Sequence, residues 1–223
     1  MPQDVMRLGV VGAGLMGAEI AMVYALAGFS VRLTDRTDAL LAAAMDRLAG
    51  LFDKGLARGF YQKGMKDEAL GRISASADLG SLADCGFVTE AVYEDLDVKS
   101  EVLKRLDKIC GASCVFASNT STIPISTLAS HLGDARRPQF IGTHYFSPVS
   151  RMKLVEVIRA LATSQETHDA LMAFAKAIGK EPSPCITSPQ RKASVRCAAN
   201  SALRCWPSAD ANRPSRSRPT IGW

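Results

Sequence analysis

In the stretch THYFSPVSRMKLVEVI (143–158), His144 ends one apolar run and Glu156 lies inside the next. The chain holds only three histidines, so one set against an apolar run calls for a reason. A buried imidazole and a buried carboxylate each carry a desolvation penalty unless they meet one another or a ligand. Paired, they make proton-transfer chemistry: an imidazole titrating near neutrality, held in one tautomer by an acid. His144 is therefore the candidate base, at the carboxyl end of a strand where open α/β sheets bind ligands, and Glu156 is its candidate orienting partner. His131 and His168 lack such surroundings and read as surface residues on helices.

A second chemical feature stands near the start. GVVGAGLMGAEIA carries G-x-G-x-x-G as Gly12, Gly14 and Gly17. The pattern follows a short apolar run, RLGVV (7–11), opens a helix-forming run, and precedes VRLTD, which ends on Asp35. In that context it reads as a dinucleotide fingerprint. Gly12 permits the tight turn, Gly14 lets the backbone approach a pyrophosphate, and Gly17 allows helix and strand to pack closely. Leu15 and Met16 stand at the helix N-terminus that faces the phosphates. Asp35 suits ribose hydroxyls and repels a 2′-phosphate, so the expected cofactor is NAD over NADP, with neighbouring Arg36 a mild counter-signal.

The elements that must position these residues alternate along the chain. Strands are expected at 7–11, 31–35, 72–76, 85–92, 114–118, 139–145 and 153–158. Helices are expected at 15–28, from Thr37 through an excursion reaching about residue 71, at 94–110, near 125–131 and at 164–178. Thr37 serves as N-cap of an apolar stripe through Leu40, Leu41, Ala44, Leu48 and Leu51. Thr163 and Glu166 form a capping box for the last helix, which Gly179 stops. This rhythm predicts an α/β fold with a doubly wound, mostly parallel Rossmann-type sheet.

Composition removes other classes. The net charge of +5 comes from residues 181–223, which carry seven Lys/Arg against two Asp/Glu, so the body is balanced and no nucleic-acid partner is expected. No apolar run reaches the length of about 18 residues that a membrane span needs. The six cysteines form no C-x-x-C pair and no zinc spacing, so they read as free thiols and no metal site is expected. MPQDVMRLGVV leads straight into a strand without the layout of a secretory signal, which predicts a cytoplasmic protein.

GVVGAGLMGAEIA, EAVYEDLDVKSEV, FASNTSTIPI and GTHYFSPVSRMKLVEVI together resemble the L-3-hydroxyacyl-CoA dehydrogenase family, over about residues 5–180. The Ser in YFSP is similar to the multifunctional α subunits of fatty-acid oxidation. The resemblance implies NAD-dependent oxidation of an L-3-hydroxyacyl-CoA to the 3-ketoacyl-CoA. His144 would take the 3-hydroxyl proton as hydride leaves for the nicotinamide, and Glu156 would hold the imidazole. Ser121 would hydrogen-bond the substrate hydroxyl near the nicotinamide. Glu94 and Lys99 match family positions around the cofactor, and Ser147 falls where an Asn commonly contacts it. Lys54, Arg58 and Lys63 lie where the family's helical excursion meets CoA phosphates, though each reads more simply as a solvated helix-face charge.

The resemblance implies a domain over 1–180 with its helical excursion at 37–71, followed by an unmatched, disordered tail at 181–223. That tail holds six of the ten prolines and both tryptophans. It resembles the product of a reading-frame change or a truncation. The family's all-helical second domain, which closes over the acyl chain and carries the dimer contacts, is expected to be missing, with turnover weakened accordingly. A non-catalytic NAD-binding remnant and a related hydroxyacid dehydrogenase stay open as alternatives. HYFSP and MKLVEVI favour the acyl-CoA reading.

Overall fold

A computed structural model describes residues 6–186. Eight strands form one sheet in the order β3-β2-β1-β4-β5-β6-β7-β8. They are β1 (Leu8–Val11), β2 (Val31–Thr34), β3 (Ile73–Ser76), β4 (Phe87–Glu90), β5 (Val115–Ser118), β6 (Phe140–Tyr145), β7 (Leu154–Arg159) and β8 (Glu181–Ile186). The first six run parallel, β7 turns antiparallel to β6, and β8 runs parallel to β7. The helices are α1 (Leu15–Leu26), α2 (Asp38–Ala57), α3 (Met65–Gly71), α4 (Leu96–Ile109), α5 (Ile125–Ala129) and α6 (Gln165–Ala177). This is the mostly parallel, doubly wound sheet that the alternation predicts.

The strands are apolar on both sides because both faces of the sheet are covered. Successive residues go to opposite cores: Val10 and Val11, Phe87 and Val88, Ala117 and Phe116, Ile141 and Phe140 divide between the two clusters. One core takes α1, the α2 stripe and α6; the other takes α4 and α5. Each fully buried large side chain contributes about 1.5–3 kcal/mol relative to exposure. Helix α1 is apolar nearly all round because it is buried on nearly every side.

Local signals mostly set the helix ends. Thr37 caps α2 by accepting from Leu40 N (3.3 Å), and Gly28 and Gly179 adopt φ of +93° and +75° just past α1 and α6. Three expectations need correction. The N-cap of α6 is Ser164, whose Oγ accepts from Thr167 N (3.1 Å). Thr163 is buried instead, its hydroxyl donating to Phe140 O (2.7 Å) and accepting from Ala160 N (2.8 Å). Leu40 lies off the α2 stripe, 43% exposed, and Phe52 takes the buried role further along. Of the two remaining histidines only His168 lies in a helix, α6, and neither is fully exposed. His131 is half-buried in the turn after α5. The His168 side chain is only 14% exposed, with Nδ1 3.1 Å from Asp169.

Strand β8 lies beyond position 180, inside the segment expected to be disordered. Glu181 N donates to Lys153 O (2.8 Å), so alternate residues from Glu181 face β7. Pro182 and Pro184 then place their missing N–H groups on the outer side, where a prolyl ring suits an edge strand and blunts further pairing. The remainder of the expected tail, with Cys197 and Cys205, lies outside the described residues. Cys85, Cys110, Cys114 and Cys185 are free thiols.

Candidate active site

The strand order reverses at β1, whose neighbours are β2 on one side and β4 on the other. The loops after β1 and β4 therefore diverge and leave a crevice at the carboxyl ends of the strands. The glycine turn fills one wall. Gly12 has φ +100°, and a Cβ there would stand 2.6 Å from Ala91 O. A Cβ on Gly17 would stand 1.8 Å from Gly12 O, so these two positions admit no side chain for reasons internal to the fold. Gly14 differs: a Cβ there would meet nothing within 4 Å. The space it leaves is open, as a site approached by a ligand requires.

Helix α1 has no side-chain cap and no acid in its first turn. Ala18 N is the first to bond back, to Gly14 O (3.1 Å), so the amides of the first turn and the positive end of the dipole are left for an anion. Leu15 at that end is 54% exposed. Met16 is half-buried. Asp35 closes the site from β2, its Oδ2 accepting from Ala13 N (2.6 Å) and its Oδ1 from Arg36 N (2.7 Å). Each oxygen keeps a second lone pair for a ribose hydroxyl. Arg47 on α2 donates to Ala13 O (2.8 Å) and Gly14 O (3.1 Å), staking the turn from behind. An open cradle, free helix amides and a carboxylate on the next strand fit a dinucleotide.

On the other side of the crevice, His144 and Glu156 are paired directly across the antiparallel β6–β7 register. Residues opposite one another in such a pair share a face of the sheet. His144 Nδ1 lies 2.8 Å from Glu156 Oε2, with the side chains 18% and 19% exposed. A carboxylate only accepts, so Nδ1 carries the proton and Nε2 presents its lone pair. That nitrogen faces the hydroxyl of Ser121, 3.0 Å away. Ser121 leaves β5 in the SNTS turn, and Asn119 in the same turn accepts from Tyr145 N (2.9 Å), tying the end of β5 to the residue after His144.

A network of charge holds that turn. Glu94 Oε1 accepts from Thr120 Oγ1 (2.6 Å), Ser121 N (2.9 Å) and both Thr122 N (2.9 Å) and Thr122 Oγ1 (3.0 Å). Burial pushes the Glu94 carboxyl up, but the bonds from Thr120 and Thr122 and the Lys99 ammonium outweigh burial and bring it down to about 2. Asp95, and not Glu94, caps α4, accepting from Asp97 N and Val98 N at 3.0 Å each. Lys99 is fully buried, 2.8 Å from Glu90 and 3.3 Å from Glu94. Glu90 ends β4 and also accepts from Ser118 Oγ (2.6 Å) and Val92 N (2.8 Å).

His144, Glu156, Ser121, Glu94 and Lys99 thus converge, and Gly12, Gly14, Gly17 and Asp35 form the facing wall. Ser147 is exposed just past the end of β6. Lys54, Arg58 and Lys63 are all exposed. Among the described residues, no group of three or more His, Cys, Asp or Glu side chains could hold a metal ion. Three residues of the site were missed in the sequence. Glu90, an acid in the apolar run FVTEAV, carried the same signal as Glu156 and could have been found by it. Asn119 and Arg47 gave no comparable signal, because their partners are backbone groups of distant segments.

Residues 7–187 match the family model described as the NAD binding domain of 3-hydroxyacyl-CoA dehydrogenase. The chain belongs to this family. The matched region of this NAD-binding domain runs past 180 and takes in β8. It is 42% identical over 188 residues to a probable 3-hydroxybutyryl-CoA dehydrogenase of Deinococcus radiodurans, covering 82% of this chain and 65% of that protein. It is 39% identical over 192 residues to the human mitochondrial hydroxyacyl-coenzyme A dehydrogenase, covering 83% of this chain and 60% of that protein. The crystal structure of (S)-3-hydroxybutyryl-CoA dehydrogenase PaaH1 from Ralstonia eutropha superposes with a TM-score of 0.81 at 35% identity, covering 90% of this chain and 73% of that one. The chain therefore spans less than two thirds of the length of the two curated relatives. No helix among the described residues is long and apolar enough to cross a membrane.

Proposed function

We propose that the chain binds NAD in the crevice and serves the oxidation of an L-3-hydroxyacyl-CoA to its 3-ketoacyl-CoA, with His144 as base. The observation that carries this reading is the chain of contacts Glu156–His144–Ser121, at 2.8 and 3.0 Å, facing the glycine turn of an NAD-binding domain. Gly12, Gly14, the first-turn amides at Leu15 and Met16, and Asp35 would hold the dinucleotide, with Glu94, Ser121 and Ser147 at its far end. Bound NAD+ supplies the two-electron acceptor for the hydrogen on carbon 3.

The residues of the chain handle the proton. Nε2 of His144 takes it from the 3-hydroxyl, which Ser121 Oγ holds by a hydrogen bond. The imidazolium so formed is stabilised by Glu156 at Nδ1, in a site where low exposure keeps their attraction strong. Glu94 keeps the Ser121 turn in place, and Lys99 acts through Glu94, since its own ammonium is buried. In the reverse direction the same imidazolium returns the proton to a 3-ketoacyl-CoA.

A second reading is that the described domain by itself binds NAD with little or no turnover, since the match covers 65% and 60% of those two relatives. Substrate closure and dimerisation are proposed to lie in the portion of the relatives that the match does not cover. Cytoplasmic placement is likewise proposed. The test is NADH oxidation with acetoacetyl-CoA and with a longer 3-ketoacyl-CoA, beside direct NADH titration. Nucleotide binding with turnover abolished by His144→Ala supports the first reading, binding without turnover supports the second, and failure to bind NADH removes both.

A further inference from the structure

Two carboxylates and one ammonium meet at the end of β4: Glu90, Glu94 and Lys99. Lys99 serves both acids, at 2.8 Å from Glu90 and 3.3 Å from Glu94. Glu90 and Lys99 are 0% exposed, so no ion from solvent reaches them. Glu90 receives donors at both oxygens, from Lys99, Val92 and Ser118, which suits an ionised acceptor. The cluster therefore holds one negative charge more than it neutralises. That excess surfaces only at Glu94, whose side chain is 35% exposed. Its other contacts, the Thr120, Ser121 and Thr122 groups, are neutral donors. The next acid, Asp95, is already set against the amides of α4.

Glu94 stands at the carboxyl ends of β4 and β5, one hydrogen bond from Ser121 and two from His144. A dinucleotide anchored at Asp35 and the glycine turn sends its nicotinamide half to this side of the strand-order reversal. Its oxidised and reduced forms differ there by one positive charge. We propose that the Glu90–Lys99–Glu94 cluster is an electrostatic selector that favours NAD+ over NADH, with Glu90 acting as a positioning residue that draws Lys99 away from full neutralisation of Glu94. This rests on the NAD-binding reading above and adds a role for a residue that touches no ligand. Without the Glu90 charge, Lys99 pairs with Glu94 alone and the excess disappears. A purely structural Glu90 would support both nucleotide forms equally.

The test is calorimetric titration of the full chain with NAD+ and with NADH, for the wild type, Glu90→Gln and Glu90→Asp. Glu90→Gln is expected to raise the ratio Kd(NAD+)/Kd(NADH) about threefold to tenfold, the effect of one charge at partly screened range. Glu90→Asp, which keeps the charge, should restore the ratio even if both affinities fall. If Glu90→Gln does not fold, Glu94→Gln decides, since it keeps an acceptor for the 120–122 turn and removes the same excess charge. An unchanged ratio, or equal loss of both affinities in the variant that folds, overturns the proposal and leaves NAD binding intact. A wild-type chain that binds neither nucleotide overturns the NAD reading as well.

Discussion

His144 and Glu156 face one another across the antiparallel register of β6 and β7, with Nδ1 and Oε2 2.8 Å apart. The reversal of chain direction at β7 brings an acid twelve positions along the sequence onto the same face as His144. His144→Ala should lower kcat on acetoacetyl-CoA about a thousandfold, and Glu156→Gln about a hundredfold, within the usual range for a positioned acid–base group. NADH affinity should stay within about twofold in both, because neither residue lies on the glycine wall. Steady-state NADH oxidation and direct titration separate the two effects.

Gly14 and Gly17 belong to the same motif and should respond to alanine in opposite ways. A Cβ at Gly17 meets the Gly12 carbonyl at 1.8 Å, whereas one at Gly14 meets no protein atom within 4 Å. Gly17→Ala should destabilise the fold by roughly 2–4 kcal/mol, as overpacking against backbone does. Gly14→Ala should keep its urea midpoint near the wild type and lose NADH affinity at least tenfold. Equal behaviour of the two variants in denaturation would remove the argument that Gly14 is kept for a ligand.

Asp35 supplies a carboxylate to the glycine wall, held by the amides of Ala13 and Arg36. Asp35→Ser should weaken NADH binding about tenfold and bring NADPH binding up, since the repulsion of a 2′-phosphate goes and Arg36 remains beside it. Competitive titration of the two nucleotides reads the ratio directly.

Glu94 gives a pH signature. Its carboxyl is held down to about 2 from an ordinary 4.5, so its interactions stabilise the folded state above about pH 4.5 and are lost as pH falls toward 2. Urea midpoints of the wild type and Glu94→Gln should therefore differ most above pH 4.5 and converge on acidification. A gap that is constant across that range would assign the stabilisation to packing instead of charge.

Arg136 should matter to the fold and not to the chemistry. It is 5% exposed, donates to the carbonyls of Cys110, Gly111 and Cys114 and to Asp107, and lies 4.5 Å over the Phe116 ring. Arg136→Met leaves those acceptors unpaired beside Asp107, and should cost about 3 kcal/mol in urea denaturation with NADH affinity unchanged in the folded fraction.

Much of this was legible in the sequence because short-range rules govern it. The glycine spacing, the Thr37 cap and the alternation of apolar strands with helices each follow from residues a few positions apart. His144 and Glu156 could be named as a pair because two ionisable groups in apolar runs need partners. The same reasoning applied to FVTEAV would have exposed Glu90. What misled was local likeness without its surroundings: Thr163 resembles a capping residue, yet its hydroxyl is claimed by Phe140 and Ala160, and Ser164 takes the cap. EPSPCI, with its prolines, reads as a breaker until β7 offers it an edge where the missing N–H groups face outward.

By itself the sequence determined the kind of fold, the glycine turn and the pairing of His144 with Glu156, since periodicity and desolvation act on the chain wherever it goes. Only the tertiary structure decided that Ser121 reaches His144, that Arg47 stakes the glycine turn, and that Lys99 is divided between Glu90 and Glu94. The first two contacts join segments more than twenty positions apart in the chain, and the third depends on burial at the end of β4. Complete exclusion of water at Glu90 and Lys99, which no local pattern encodes, keeps that last contact strong.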